Sequence, residues 1–164
     1  TTDDRIIYSQ RPDVTFGFNN TFNYKGFDLS VFLYARLGQW IAYDYNTTYR
    51  INALENGGNV DYWTPENPTN AFPRPNKSKS YTQVTYYSTL KYEDGSFFKI
   101  RDITLGYTFK PELLKHLNLS RLRVYATAKN FFTFSKIDNY DPEQGGSISF
   151  PMTKQLVFGL NVEF

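Results

Sequence analysis

From Gln155 to Phe164 the chain runs Gln-Leu-Val-Phe-Gly-Leu-Asn-Val-Glu-Phe, and every even position is apolar: Leu156, Phe158, Leu160, Val162 and Phe164. The odd positions hold Gln155, Gly159, Asn161 and Glu163, with Val157 the exception. A period of two sends the two sets to opposite faces of a β-strand. An apolar stripe that runs to an aromatic last residue is unusual in water, where terminal residues fray. It suits a strand of a membrane β-barrel, apolar towards lipid and polar towards the lumen.

The same period recurs upstream. Val14, Phe16, Phe18, Phe22 and Tyr24 alternate with Thr15, Gly17, Asn19, Thr21 and Asn23, which predicts a strand over about 13–24. Asn20 interrupts its apolar face, and a bulge at Asn19-Asn20, or local protein cover, would relieve the cost of a polar amide there. Lys25-Gly26 is a tight turn. A second strand is expected over 27–43, with Phe27, Leu29, Val31, Leu33, Ala35 and Leu37 on one face. Asp28, Phe32, Tyr34, Arg36 and Trp40 lie on the other. A third strand over 95–109 carries Ile103, Leu105, Tyr107 and Phe109 on one face, and a fourth over 121–133 carries Leu122, Val124, Ala126 and Ala128. The fifth covers 153–164.

Between the strands, 44–94 and 134–152 are long loops, whereas 25–26 and 110–120 are shorter, the latter with room for one helical turn. Thr48 to Asn56 is a candidate short helix stopped by Gly57-Gly58. Alternating short turns and long loops match the periplasmic and extracellular ends of outer-membrane barrels. That orientation puts Phe164 on the periplasmic side and both long loops outside. Five antiparallel strands fall short of the about eight that close the smallest such barrel, and open edges in lipid leave costly unpaired backbone groups. The chain is therefore expected to be a piece of a larger barrel. It begins at Thr1, so an exported parent would have lost an upstream segment. In 164 residues there is no cysteine, which excludes disulfides and thiolate metal sites. A net charge of +2 with scattered basic residues gives no nucleic-acid footprint, and no apolar run is long enough for a spanning helix.

Several stretches, in order, resemble the SusC/RagA group of TonB-dependent outer-membrane transporters: Tyr24-Lys25-Gly26-Phe27-Asp28-Leu29-Ser30; Asp61-Tyr62-Trp63-Thr64-Pro65-Glu66-Asn67-Pro68; Asp94 to Tyr107; Leu122 to Phe132; Asp141-Pro142-Glu143; and Phe158 to Phe164. The resemblance covers nearly the whole chain. It implies the C-terminal part of a roughly 22-stranded barrel, about its last five strands. It further implies import of oligosaccharides or peptides, a SusD-like surface lipoprotein as lid, an N-terminal plug in the lumen, and the TonB complex as the source of force. Neither the plug nor a TonB-contacting segment is represented in these residues. The implied location is the outer membrane of a Gram-negative bacterium, crossed many times. A non-transporting barrel or surface adhesin, and a soluble β-sandwich lectin or enzyme, are the competing readings.

The candidate contact residues are aromatic. Tyr34 and Trp40, expected on the lumen face, could stack on sugar rings or apolar peptide side chains; packing against plug or loops is the plainer alternative. Tyr62, Trp63 and Phe72 could meet substrate or lid, or else hold the long loop together. Phe164 is a candidate barrel-assembly signal, or a member of the interfacial aromatic girdle. Asp138, Asp141 and Glu143 offer hard oxygen ligands but lack the EF-hand spacing, so a solvated turn is favoured over calcium. His116, the single histidine, has no partner for metal or catalytic work in the sequence around it. Asp28 and Arg36 are lumen-facing charges for which pore lining or plug contact suffices. No catalytic constellation, cofactor site or metal site is expected.

Overall fold

The computed structural model describes residues 6–50, 52, 57–78 and 87–164. They fall into two compact units. One is a sheet built from Asp13–Leu37, Phe97–Ser135 and Met152–Phe164; the other gathers the long connections within Thr1–Pro12, Gly38–Ser96 and Lys136–Pro151.

The sheet has five antiparallel strands in the order β1 (Val14–Tyr24), β2 (Phe27–Leu37), β5 (Phe97–Thr108), β6 (Arg121–Ser135) and β7 (Gln155–Glu163). Each strand pairs with its neighbour in the chain order of the sheet, and β1 and β7 form its two margins. Register explains the alternation read from sequence. Phe22, Leu29, Leu105, Ala126 and Phe158 stand in one cross-sheet row, as do Phe18 and Leu33 with Ile100 and Phe132. All of these project from the same face. The face is not sealed in a core: Phe158 is 76% exposed, Leu160 67% and Phe22 60%. A soluble sandwich would bury such columns between sheets; here they form an outward apolar surface of the kind lipid covers. Among the described residues no helix is long and apolar enough to cross a membrane.

The opposite face is polar, and its glycines make room for large neighbours. Phe32 leans over Gly17, Tyr125 over Gly159, and the Asp28–Arg123 pair over Gly106. β1 turns into β2 through Lys25 (φ 47°) and Gly26 (φ 91°), both left-handed, with Tyr24 opposite Phe27. Two positive φ values make the type I′ turn whose twist suits a two-residue hairpin.

Two expectations need correction. The strand foreseen over 27–43 stops at Leu37: Gly38 takes φ 75°, the ladder ends, and Trp40–Ala42 forms a separate short strand, β3, against β4 (Tyr92–Asp94). The strand foreseen over 95–109 is present as β5, which begins at Phe97 and ends at Thr108. The bulge expected at Asn19-Asn20 is absent, because β1 pairs with β2 without interruption from Val14 to Tyr24. Irregularity sits instead in β5, where Arg101 is an extra residue between Ile100 and Asp102, and in the facing part of β6, where Asn130 takes φ 59°. The connector after β5 is α3 (Pro111–Leu114) followed by a 3-10 turn over Lys115–Leu117, closed by left-handed Asn118, with Leu114 buried. Pro111 opens the helix, where its missing N–H costs nothing.

In the second unit α1 (Asp44–Thr47) and α2 (Tyr87–Leu90) flank the long connection. Of the helix foreseen over 48–56, residue 51 and residues 53–56 lie outside the described residues.

Candidate functional site

On the inward face of the sheet, side chains are matched across strands. Arg123 donates to both carboxylate oxygens of Asp28, at 2.8 and 2.5 Å. The Thr104 and Thr127 hydroxyls lie 2.9 Å apart, Lys129 Nζ is 3.7 Å from Asp102, and Arg121 is 3.4 Å from Glu163. Asp28, Arg123 and Arg121 line a polar hollow of about 510 Å³ beside the Lys25-Gly26 turn. A polar inward wall of this kind is what a barrel lumen requires.

At the opposite end of the same face the chemistry changes. Tyr34 pairs with Lys99 and Arg36 with Phe97 across β2 and β5. Arg36 Nε donates to the Tyr34 hydroxyl at 2.8 Å, and its guanidinium lies 5.5 Å from the Tyr34 ring and 5.9 Å from that of Phe97. Arg101 sits 5.5 Å from the Tyr34 ring, and Lys99 Nζ 5.7 Å from the Phe97 ring. Tyr34 therefore stays on the face expected for it. Its neighbours are cations, which the sequence did not reveal.

Trp40 does not join Tyr34. Beyond the break at Gly38 its ring lies 4.6 Å from Tyr8, which in turn stacks on Tyr92 at 4.9 Å. Trp40 is 37% exposed, and its backbone N–H donates to Ser9 at 2.8 Å. Its expected place on the lumen strand rested on a continuous strand that does not exist.

The loop motif around Tyr62 is ordered by its acid. Asp61 accepts from Asn67 Nδ2 and Thr69 Oγ1, both at 2.7 Å, and these two bonds hold its carboxyl below the usual range. Thr64 and Asn67 exchange backbone hydrogen bonds across the Pro65-Glu66 turn. Tyr62 bridges Phe72, and Trp63 N–H donates to Phe72 carbonyl at 2.9 Å. Phe72 itself is buried against Tyr49, ring to ring at 5.2 Å, with Val60 and Leu90 around them. Phe72 is thus buried in the loop, whereas Tyr62 and Trp63 are 41% and 39% exposed. A second cluster, Ile41, Tyr43 and Ile137, is flanked by Tyr45, Tyr140 and Ile148. Burial pushes the Tyr43 phenol up.

The connections meet at one acid. Asp94 accepts from the Ser96 N–H at 3.0 Å and from Lys136 Nζ at 2.9 Å, while Ser96 Oγ accepts from Gly38 N–H at 3.0 Å. The Ser96 hydrogen bonds, then Lys136, lower the Asp94 pKa against an opposing burial effect. Gly38, Ser96 and Lys136, three residues of the second unit, are thus gathered around one carboxylate, Gly38 through the Ser96 hydroxyl.

In the acidic loop, Asp141 accepts from Glu143 N–H at 3.0 Å and caps the 3-10 turn Pro142–Gln144. His116 lies in the turn after α3. Phe164 follows β7 and is almost fully exposed.

No protein-family model matches the chain. Individual proteins do. TonB-dependent receptor P3 of Formosa agariphila is 29% identical over the whole of this chain, which spans 18% of that receptor. TonB-dependent receptor SusC of Bacteroides thetaiotaomicron is 30% identical over 98% of the chain, 16% of its own length. Among solved structures, the RagAB peptide importer in its closed-closed state superimposes with a TM-score of 0.77 at 27% identity, over 98% of this chain and 18% of that one. The chain thus spans less than a fifth of the curated relatives it matches.

Proposed function

From a chain that resembles SusC/RagA-type TonB-dependent receptors along its whole length, we propose that it supplies wall strands and extracellular loops of an outer-membrane nutrient importer. In this reading the apolar face meets lipid and the polar face meets the lumen and its plug. The connections through 38–96 and 136–151 stand on the cell surface. The complete receptor imports oligosaccharides or peptides with a SusD-like lipoprotein as lid, and the TonB complex drives it from the periplasm of a Gram-negative cell. The observation that carries the reading is the division of one continuous five-stranded sheet into an exposed apolar face and a hydrogen-bonded polar one. Such a division has little use except at a boundary between lipid and water.

Tyr62 and Trp63 are the lid-contact or substrate-contact candidates retained, because they are exposed on an ordered loop. Tyr34 contributes to the lumen lining. Phe164 serves as the assembly signal of the barrel.

Two experiments test the reading. Uptake of the receptor's nutrient by cells should stop when TonB is removed; uptake independent of TonB would refute import. Deleting Phe164 from the intact receptor should lower its outer-membrane yield several-fold, and an unchanged yield would remove the assembly role.

A further inference from the structure

We propose that the outward face of the sheet carries a seat for one phospholipid, with an acyl chain in a hollow over Ala126 and the phosphate at Lys25. The inference goes beyond import and rests on the barrel alone, which sets this face against lipid. The hollow is an open space of about 270 Å³ walled by Phe27, Leu105, Tyr107, Val124, Ala126 and Phe158. Its shape follows from register. Ala126 stands between Leu105 and Phe158 in one cross-sheet row, and Val124 stands between Tyr107 and Leu160 in the next. A lone methyl group among such large neighbours leaves their flanks uncovered. Phe27, opposite Tyr107 and 4.6 Å from it ring to ring, borders the hollow on the side of the Lys25-Gly26 turn. All of these walls belong to one continuous sheet.

The turn end of the hollow has the composition of a membrane interface. Tyr24 is paired with Phe27, and Phe109 meets the Tyr107 ring edge-on at 5.1 Å. The phenols of Tyr24 and Tyr107 have no hydrogen-bond partner among the described residues. Rings with one polar end collect at the level of lipid headgroups. Lys25 adds the charge. Its Nζ lies 5.1 Å from the centre of the Tyr24 ring, which places it on the outward side, and it has no ion-pair partner among the described residues. Both parts are needed for selectivity. A tail gains no hydrophobic energy by leaving other tails for a protein wall, so an apolar hollow alone holds whatever chain is nearest. What favours one lipid is close packing of its chain against fixed rings, together with an anion in reach of Lys25. In the orientation proposed above this end is periplasmic, where the leaflet is phospholipid.

The test uses the intact receptor in detergent, observed by native mass spectrometry while phosphatidylglycerol or phosphatidylcholine with the same acyl chains is added. The variants are Lys25→Gln, which removes the charge, and Ala126→Val and Ala126→Leu, which fill the hollow in two steps; each is checked for barrel melting no lower than the parent's. The unsubstituted receptor should take up one phosphatidylglycerol saturably, at a concentration about fivefold lower than phosphatidylcholine requires, the preference one surface cation confers. Lys25→Gln should bring the two lipids level. Ala126→Val should weaken uptake of both, and Ala126→Leu should weaken it at least about tenfold. Uptake of many lipids without saturation, alike in every variant, is a plain lipid annulus and overturns the proposal, as does a headgroup preference undiminished in Lys25→Gln. A hollow covered by a second receptor copy, seen as lipid-free dimers that Ala126→Leu separates, overturns it too. The importer reading fails separately, by uptake that ignores TonB.

Discussion

Gly106 is a sharp place to test whether the inward face is held by matched side chains. A Cβ added there would lie 2.5 Å from Arg123 Nη2 and 2.5 and 2.6 Å from the two Asp28 oxygens. Ordinary contact needs about 3.4 Å or more, so Gly106→Ala must displace the pair by about 1 Å. Its hydrogen bonds are 2.8 and 2.5 Å long, and a shift of that size takes them out of bonding range. The side chains are only 18% and 23% exposed. The loss therefore exceeds that of a surface ion pair, and charge-assisted bonds of this kind contribute about 1.5–3 kcal/mol. Replacing glycine in a strand returns about 0.5–1 kcal/mol of backbone entropy. The net destabilisation is about 1–2 kcal/mol. It should appear as a lowered denaturant midpoint of the intact barrel in detergent, with unchanged slope. In an Asp28→Asn background the same substitution should cost less than half as much, since the pair is already broken. A neutral or stabilising Gly106→Ala, or full additivity of the two changes, would refute the reasoning.

Asn20 sits half-buried on the outward face opposite Val31, with no side-chain hydrogen bond among the described residues; Asn20→Leu should stabilise the barrel by about 1 kcal/mol, read as a raised denaturant midpoint, an unbonded polar amide facing lipid being unfavourable. Phe72→Ala should open the Tyr49–Phe72 cluster at a local cost of about 3–5 kcal/mol, read as faster proteolysis of the 57–78 connection with barrel melting unchanged. The Asp94 pKa is depressed from 3.8, so its contribution is present above that value and is lost as pH falls through the lower folded value. Amide exchange near Gly38 and Ser96 should therefore accelerate only under strong acidification, and in Asp94→Asn it should be fast at every pH; a loss already complete near neutral pH would contradict the assignment.

The strands were legible because lipid on one side and water on the other impose a strict period of two. That holds for β1, for the lower half of β5 and for β7, down to the residues on each face. What escaped the sequence reading is whatever breaks the period. Gly38 falls in step with the alternation of the expected 27–43 strand, although a glycine inside a strand is also the mark of a break. The extra residue Arg101 could not be seen, because the apolar residues before it, Phe97, Phe98 and Ile100, fall on both odd and even positions and hide the change of parity. The grouping of Arg36, Lys99 and Arg101 around Tyr34 depends on that hidden residue and on pairing across more than sixty positions of chain. β3 and β4 are three residues each, too short to carry a pattern. In the loop, Tyr62, Trp63 and Phe72 were recognised as a set, but only geometry separates buried Phe72 from its exposed companions.

The outer flanks of β1 and β7, unpaired among the described residues, set a rule for how such segments can be exchanged between receptors. A transplanted block of these strands must find donors and acceptors waiting on both sides, in step with its own. An offset of one residue would turn Asn19 and Asn23 towards the hydrocarbon and Phe18 and Phe22 into the channel. Swaps that preserve strand phase can therefore trade loops between TonB-dependent receptors freely, while swaps that ignore it are barred by the lipid.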